Sequence, residues 1–160
     1  MLAMRNFSLS VCACIAACAA PAPAADVAFA GPSGWSHTSV TASPDPARKF
    51  EQWHISGDTA TTITFIKDGS TAYAGALGLI EKNFADNKIK PAIDKDVPCQ
   101  GKTGHVIEFA TGPENHKIAI NRMLVPDGAG VVTITYSRPD GAAFDPDVQK
   151  SEMAYCSAGS

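Results

Sequence analysis

The sequence lacks the short motifs that mark the common catalytic centres. It contains no Gly-x-Ser-x-Gly of a serine hydrolase, no His-Glu-x-x-His of a zinc protease, no phosphate-binding P-loop and no glycine-rich dinucleotide motif. These absences argue against those enzyme classes. We therefore expect a protein without catalytic activity and without a cofactor, and we rank a metal-dependent enzyme as a lower alternative.

Charge is sparse and evenly spread along the chain. Charged residues make up 18% of the sequence, the net charge is −3, and lysines and arginines form no run. Because a protein that binds nucleic acid needs a concentrated basic face, we expect no nucleic-acid partner. Hydrophobic residues, at 45%, are sufficient for the core of one compact domain of this length.

The longest apolar run lies near the N-terminus and is too short to span a membrane. It covers residues 7–20, follows the basic Arg5 and precedes an alanine- and proline-rich segment, which is the pattern of a secretory signal peptide. We predict a signal peptide at residues 1–25 and a single domain at residues 26–160, with the exact cleavage position left open. The domain is then exported to the periplasm or secreted.

A second interpretation of the same segment is a lipoprotein signal. Ile15-Ala16-Ala17-Cys18 resembles the lipobox of bacterial lipoproteins, in which the cysteine is lipidated and becomes the first residue of the mature chain. Acyl chains on Cys18 would anchor the domain to a bacterial membrane. In the competing interpretation, Cys18 is a small apolar residue of a peptide that is removed. A lipid anchor is the one membrane association that the sequence suggests.

Two cysteines, Cys99 and Cys156, remain once residues 1–25 are removed. An even number of cysteines in an exported domain predicts one disulfide. The bridge would close a long loop and stabilise the fold by about 4 kcal/mol on the chain-entropy argument. A redox-active pair is the weaker alternative, because the chain has no Cys-x-x-Cys motif.

Strand patterns dominate the rest of the chain. Residues 117–137 predict a β-hairpin, because two strand-like runs flank the turn-forming Pro126-Asp127-Gly128-Ala129-Gly130. Arg122 interrupts an apolar row in the first run, which we expect to be covered on both sides. In the second run, one face is apolar: Val132, Ile134 and Tyr136. Further strands are predicted at residues 35–40, 48–56, 61–67 and 104–110.

Two helices are predicted between and after these strands. The first is marked by apolar residues at helical spacing: Tyr73, Leu77, Ile80 and Phe84. Ser70 is its candidate N-cap. The second begins at Pro146 after the candidate N-cap Asp145 and continues to about Cys156. Residues 87–102 show no sustained period and are predicted to form a loop.

The element order is three strands, a helix, three strands and a helix. This order predicts an α+β domain with a mostly antiparallel sheet of about six strands and a helix on each face. The pattern resembles the PsbP-like fold, an α/β/α sandwich found in an extrinsic photosystem II subunit, a Ran-binding nuclear import factor and many bacterial exported proteins and lipoproteins. The resemblance rests on Pro32-Ser33-Gly34-Trp35, the Leu77–Phe84 helix, the Gly104 strand, the Tyr136 hairpin and the Phe144-led final helix. It implies an accessory or binding role and offers no catalytic motif.

The histidines are the remaining candidates for chemistry. They are His37, His54, His105 and His116, and Glu51 or Glu108 could add a carboxylate to a zinc or copper site. No local spacing supports such a site, and His105 and Glu108 are predicted to point to opposite faces of one strand. We therefore expect isolated or hydrogen-bonded histidines and no metal.

Three functions follow in order of preference. The first is an exported accessory domain that binds an unknown envelope protein, and the second is a carrier or sensor of a small apolar ligand. That ligand would lie between the Tyr73–Phe84 helix and the sheet, where pockets commonly form, although plain core packing also needs such a helix. The third is a metal-dependent enzyme. Exposed apolar patches favour the first function, an apolar cavity the second, and converging histidines or carboxylates the third.

Overall fold

A computed structural model describes residues 27–40 and 48–158 of the 160-residue chain. The predicted signal peptide and Cys18 lie outside the described residues. The elements in chain order are β1 (Ser36–Val40), β2 (Arg48–His54), β3 (Thr62–Asp68), α1 (Tyr73–Asn87), β4 (Ile93–Cys99), β5 (Lys102–Thr111), a 3-10 turn (Glu114–His116), β6 (Ile118–Asp127), β7 (Gly130–Pro139) and α2 (Pro146–Ser157).

All seven strands form one antiparallel sheet in the order β1-β2-β3-β7-β6-β5-β4. The fold is therefore α+β as predicted, with seven strands where about six were expected. The predicted hairpin is confirmed as β6 and β7, with Asp127 opposite Gly130. Two meanders, β1 to β3 and β4 to β7, join where β3 pairs with β7 and Ile63 lies opposite Tyr136.

The additional strand is β4, and it corrects the prediction of a loop over residues 87–102. It pairs with β5, with Asp94 opposite Ile107. The charged residues and Pro98 of β4 explain why the strand was not predicted, because they interrupt the apolar alternation by which strands are recognised. An edge strand tolerates both, since one of its sides has no neighbouring strand to pair with.

The two helix starts differ in how well they were predicted. The N-cap of α1 is Ala72, which makes no side-chain cap hydrogen bond, so the prediction of Ser70 is wrong. Ser70 Oγ instead donates to Asp68 Oδ1 at 2.6 Å. In α2 the Asp145 carboxylate accepts from the Asp147 amide at 2.8 Å, as predicted for its N-cap. Among the helices of the described residues, none is long and apolar enough to cross a membrane.

Two apolar clusters form the core. The first includes Ile63, Phe65, Met123, Ile134, Tyr136 and, from α2, Val148 and Tyr155. The second includes Ile107, Phe109, Leu124, Val131 and, from α1, Phe84. Met123 and Leu124 are neighbours in β6 and belong to different clusters, because successive side chains of a strand point to opposite sides.

A disulfide joins Cys99 to Cys156, which confirms the predicted pair, and their Cα atoms are 4.2 Å apart. The bridge ties the last residue of the edge strand β4 to α2. Next to it, the Gln100 amide donates to the Cys156 carbonyl at 2.7 Å. The disulfide therefore fixes a strand that has a sheet neighbour on one side alone.

Candidate functional site

A groove runs along one side of α1, between the helix and the sheet. It consists of two adjoining depressions of about 330 and 320 Å³ that share Leu79, Ile80 and Arg122 as lining residues. Ala76 and Asn83 extend the helical wall to either end. These helix residues lie on one side because their spacing of three and four positions matches the helical repeat. We refer to the two depressions together as the α1 groove.

The two halves of the α1 groove differ in chemistry. One half, named the polar half after its hydroxyl and charged groups, is lined from the sheet side by Arg48, Asp68, Thr133 and Thr135 and also by the apolar Ile66 and Val131. The aromatic half is lined by Phe84 of α1 and Phe109 of β5, whose ring centroids lie 4.8 Å apart in an edge-to-face arrangement. A ligand in the groove would therefore meet hydroxyl and charged groups at one end and aromatic rings at the other.

Arg122 lies where the polar and aromatic halves meet. It projects from β6 on the same side of the sheet as Leu124, and its Nε donates to Thr135 Oγ1 at 3.3 Å. Within residues 27–40 and 48–158 no carboxylate forms an ion pair with it, and burial alone lowers the pKa of Arg122. Arginine nevertheless stays protonated at neutral pH. The groove thus contains a positive charge without a counter-ion.

The other charges in the groove are already paired. Arg48 Nε lies 3.8 Å from Asp68 Oδ2. Hydrogen bonds from Ser70, and further bonds from Thr71, lower the pKa of Asp68 to about 2. Asp68 is therefore ionised at neutral pH and balances Arg48. The charge of Arg122 remains as the net charge of the groove.

The predicted histidine candidates do not converge. His37 Nε2 lies 3.3 Å from Glu51 Oε2, and its ring stacks on Trp53 with centroids 4.6 Å apart. His54 is half-buried on β2, and His116 is exposed on the 3-10 turn. In the part of the chain that the structure describes, no three histidine, cysteine or acidic side chains are placed to hold a metal ion.

His105 takes part in a cluster that the sequence did not reveal. Its Nε2 lies 2.7 Å from Asp94 Oδ1 and its Nδ1 lies 2.8 Å from Asp96 Oδ1. Burial lowers the pKa of His105, but the hydrogen bonds and charges of the two aspartates outweigh burial and raise it overall. Both aspartates belong to β4, the strand that was predicted as a loop. Glu108 instead forms an ion pair with Arg138 at 2.9 Å.

Buried polar atoms without a hydrogen-bond partner occur at three positions in the described residues: Asn121 Oδ1, Arg138 Nη1 and Glu152 Oε1. Glu152 lies in α2 between the buried Val148 and Tyr155 and shares their side of the helix. Burial raises the pKa of Glu152 to about 7. Nothing in the sequence pattern distinguishes Glu152, because a glutamate in an amphipathic helix is expected to face solvent.

Known proteins that are similar to this chain give little information about it. No family model matches the chain, and the search of curated proteins found no match. Among solved structures, the chain is similar to PA94 of Pseudomonas aeruginosa, a protein of unknown function described as a candidate regulator. The identity is 15%, the match covers 82% of each chain, and the TM-score is 0.42. A likeness at this level carries no argument about function.

Proposed function

We propose that this protein is an exported binding domain without catalytic activity, which holds a small and mainly apolar molecule in the α1 groove. We therefore prefer the carrier or sensor of a small apolar ligand to the domain that binds an envelope protein, which was the first hypothesis from the sequence. The observation that carries it is the apolar part of the groove lining, which comes from both halves: Ile66, Leu79, Ile80, Val131, Phe84 and Phe109. Each half has the volume from which small-molecule sites begin, about 300 Å³.

The exposed apolar residues support a groove ligand more than a protein partner. Leu79 is 67% exposed and lines both halves of the α1 groove. The other large exposed apolar residues of the described chain, Ile55 and Met153, belong to different elements. Because a protein interface normally presents a contiguous apolar patch, these single residues give weaker support to an envelope protein as the partner.

We also propose that α1 and α2 cover opposite faces of the sheet. Support comes from the clusters, because α1 packs with Leu124 and α2 packs with the cluster of Met123, its neighbour in β6. This would be the α/β/α arrangement of the PsbP-like fold that the sequence resembles. With α2 on the other face, nothing in α2 competes with a ligand for the α1 groove.

Export and anchoring remain predictions, and the mass of the protein recovered from its own export compartment tests both. A chain that begins near residue 26 supports an ordinary signal peptide. A lipidated chain that begins at Cys18 supports a lipid-anchored protein. A chain that retains its N-terminal methionine in the cytoplasm would contradict export.

The groove function is tested by fluorescence titration with N-phenyl-1-naphthylamine, a neutral apolar probe that brightens when it leaves water. We expect saturable binding, weakened about fivefold by Leu79→Gln because the probe then covers less apolar surface. Met153→Gln is the matched control, since Met153 is 63% exposed but lies on α2. Absence of saturable binding, or equal loss in both variants, would contradict a site in the α1 groove.

A further inference from the structure

We infer that the ligand of the α1 groove is an organic anion, a carboxylate or sulfonate with an apolar body, and that Arg122 binds its charged group. This inference rests on the proposed function and adds the chemical class of the ligand. It starts from the position of Arg122, which is shared by the polar and aromatic halves of the groove.

Arg122 has N–H groups that make no hydrogen bond to the described residues. A guanidinium carries five N–H groups, and Thr135 accepts from Nε alone. The described residues provide no acceptor for Nη1 or Nη2, and neither atom is among the buried polar atoms that lack a partner. These two nitrogens are therefore not completely buried, and the Arg122 side chain lines both halves of the groove. A carboxylate or sulfonate can accept from them in parallel, which is the geometry that a guanidinium favours.

The charge balance of the groove points to the same class of ligand. Two arginines less one aspartate give the lining residues a net charge of +1, and Arg48 is already paired with Asp68. A partly buried charge that faces apolar side chains such as Ile66 and Ile80 costs free energy unless it is paired. An anion at Arg122 would supply the missing charge, whereas a neutral ligand would leave it unpaired.

The residues around Arg122 indicate a ligand with a charged part and an apolar part. Thr133 and Thr135 are two positions apart in β7, so their side chains lie on the same side of the sheet. Both line the polar half. They can donate to anion oxygens that Arg122 does not take. Phe84 and Phe109 lie on the other side of Arg122, in the aromatic half. The bound molecule would place its charged group at Arg122 and its ring or short chain against Leu79 and Ile80, next to the two phenylalanines.

Two probes that differ by one sulfonate test this inference. N-phenyl-1-naphthylamine is neutral, and 1-anilinonaphthalene-8-sulfonate has the same ring system with a negative charge. We expect the sulfonate to bind at least about tenfold more tightly, the size of effect that a hydrogen-bonded charge gives. Arg122→Met should remove most of this preference, so that the two probes bind with affinities within about twofold of each other. Arg122→Gln is a second variant that retains a polar group.

Lys82→Gln is the control for loss of one positive charge. Lys82 lies on α1 but does not line the groove, and it is exposed and paired with Asp86. This variant should keep the preference for the sulfonate. Circular dichroism and thermal unfolding of each variant establish that its fold is intact.

The outcomes separate this inference from the proposed function. If the neutral probe binds but the sulfonate binds no more tightly, or if both Arg122 variants weaken the two probes alike, the anionic class is wrong and the apolar groove stands. An equal loss of preference in Lys82→Gln would also overturn it, because net charge would then explain the effect. If neither probe binds the folded wild-type chain, both the inference and the proposed function fail.

Discussion

Replacing Glu152 with glutamine should stabilise the protein at neutral pH and remove part of its pH dependence. Glu152 is a half-buried residue of α2, and its buried Oε1 has no hydrogen-bond partner in the described residues. Because burial disfavours the charged form, it raises the pKa of Glu152 from 4.5 to about 7. Glutamine has nearly the same shape and carries no charge at any pH.

The folded chain therefore holds this proton more tightly than the unfolded chain does. Between pH 4.5 and about 7, the carboxyl is protonated in the folded state and ionised in the unfolded state, so a rise in pH favours unfolding. Since each pKa unit corresponds to about 1.4 kcal/mol, Glu152 lowers the free energy of unfolding by about 3 kcal/mol across this range. Above the folded pKa the loss is complete and no longer changes with pH.

Urea unfolding of the wild type and Glu152→Gln, followed by circular dichroism from pH 4.5 to pH 8, measures this effect. The difference in unfolding free energy should grow from near zero at pH 4.5 to about 3 kcal/mol at pH 8. Glu81→Gln, at an exposed position of α1, controls for the loss of one acidic residue. A difference that stays constant over the whole range would refute the reasoning, because the buried carboxyl would then not be the titrating group.

Three further predictions concern the edge strand, the join between the two meanders and α1. The raised pKa of His105 adds stability that is fully present below pH 6.5 and lost as pH rises through the folded pKa. His105→Gln should therefore lower the unfolding free energy in urea at pH 5.5 but not at pH 9. The loss of unfolding free energy should be below about 1 kcal/mol, because Asp94 and Asp96 are largely exposed. An equal loss at pH 5.5 and pH 9 would contradict a role for the charged histidine. Gly130→Ala should destabilise by about 2 kcal/mol or more, since its Cβ would collide with the Asp68 carbonyl oxygen of β3. Gly75→Ala has open space around its Cβ and should stabilise α1 by about 1 kcal/mol. Thermal unfolding measures both glycine variants, and equal changes in their melting temperatures would contradict the predicted collision at Gly130.

The sequence predicted the elements whose apolar residues keep a period. In β7 the alternation of Val132, Ile134 and Tyr136 placed all three in the first cluster. In α1 the apolar stripe correctly indicated the side that packs on the sheet. Apolar periodicity did not reveal β4, because a strand with a partner on one side alone needs few apolar residues, and its alternating charges are equally typical of a surface loop.

The candidate site was predictable in its place but not in its chemistry. A ligand between the Tyr73–Phe84 helix and the sheet was the second hypothesis, beside plain core packing, and the α1 groove lies along that helix. In the sequence, Arg122 was an interruption of an apolar row. Its importance depends on which groups lie opposite it on β7 and α1, and on the absence of a carboxylate among the described residues around it. Such relations arise from strand register, which spacing along the chain does not give.

The join between β3 and β7 has a consequence for how the chain acquires its fold. Each meander is built from hairpins between successive strands, whereas Ile63 and Tyr136 pair across more than seventy positions of sequence. Closing so long a loop costs entropy before any contact compensates for it, so we expect this pairing to form late. Until then, β3 and β7 are the unpaired margins of two partial sheets, with Ile63 and Ile134 uncovered. Premature contact between chains should therefore occur through strands that end up at the centre of the finished sheet.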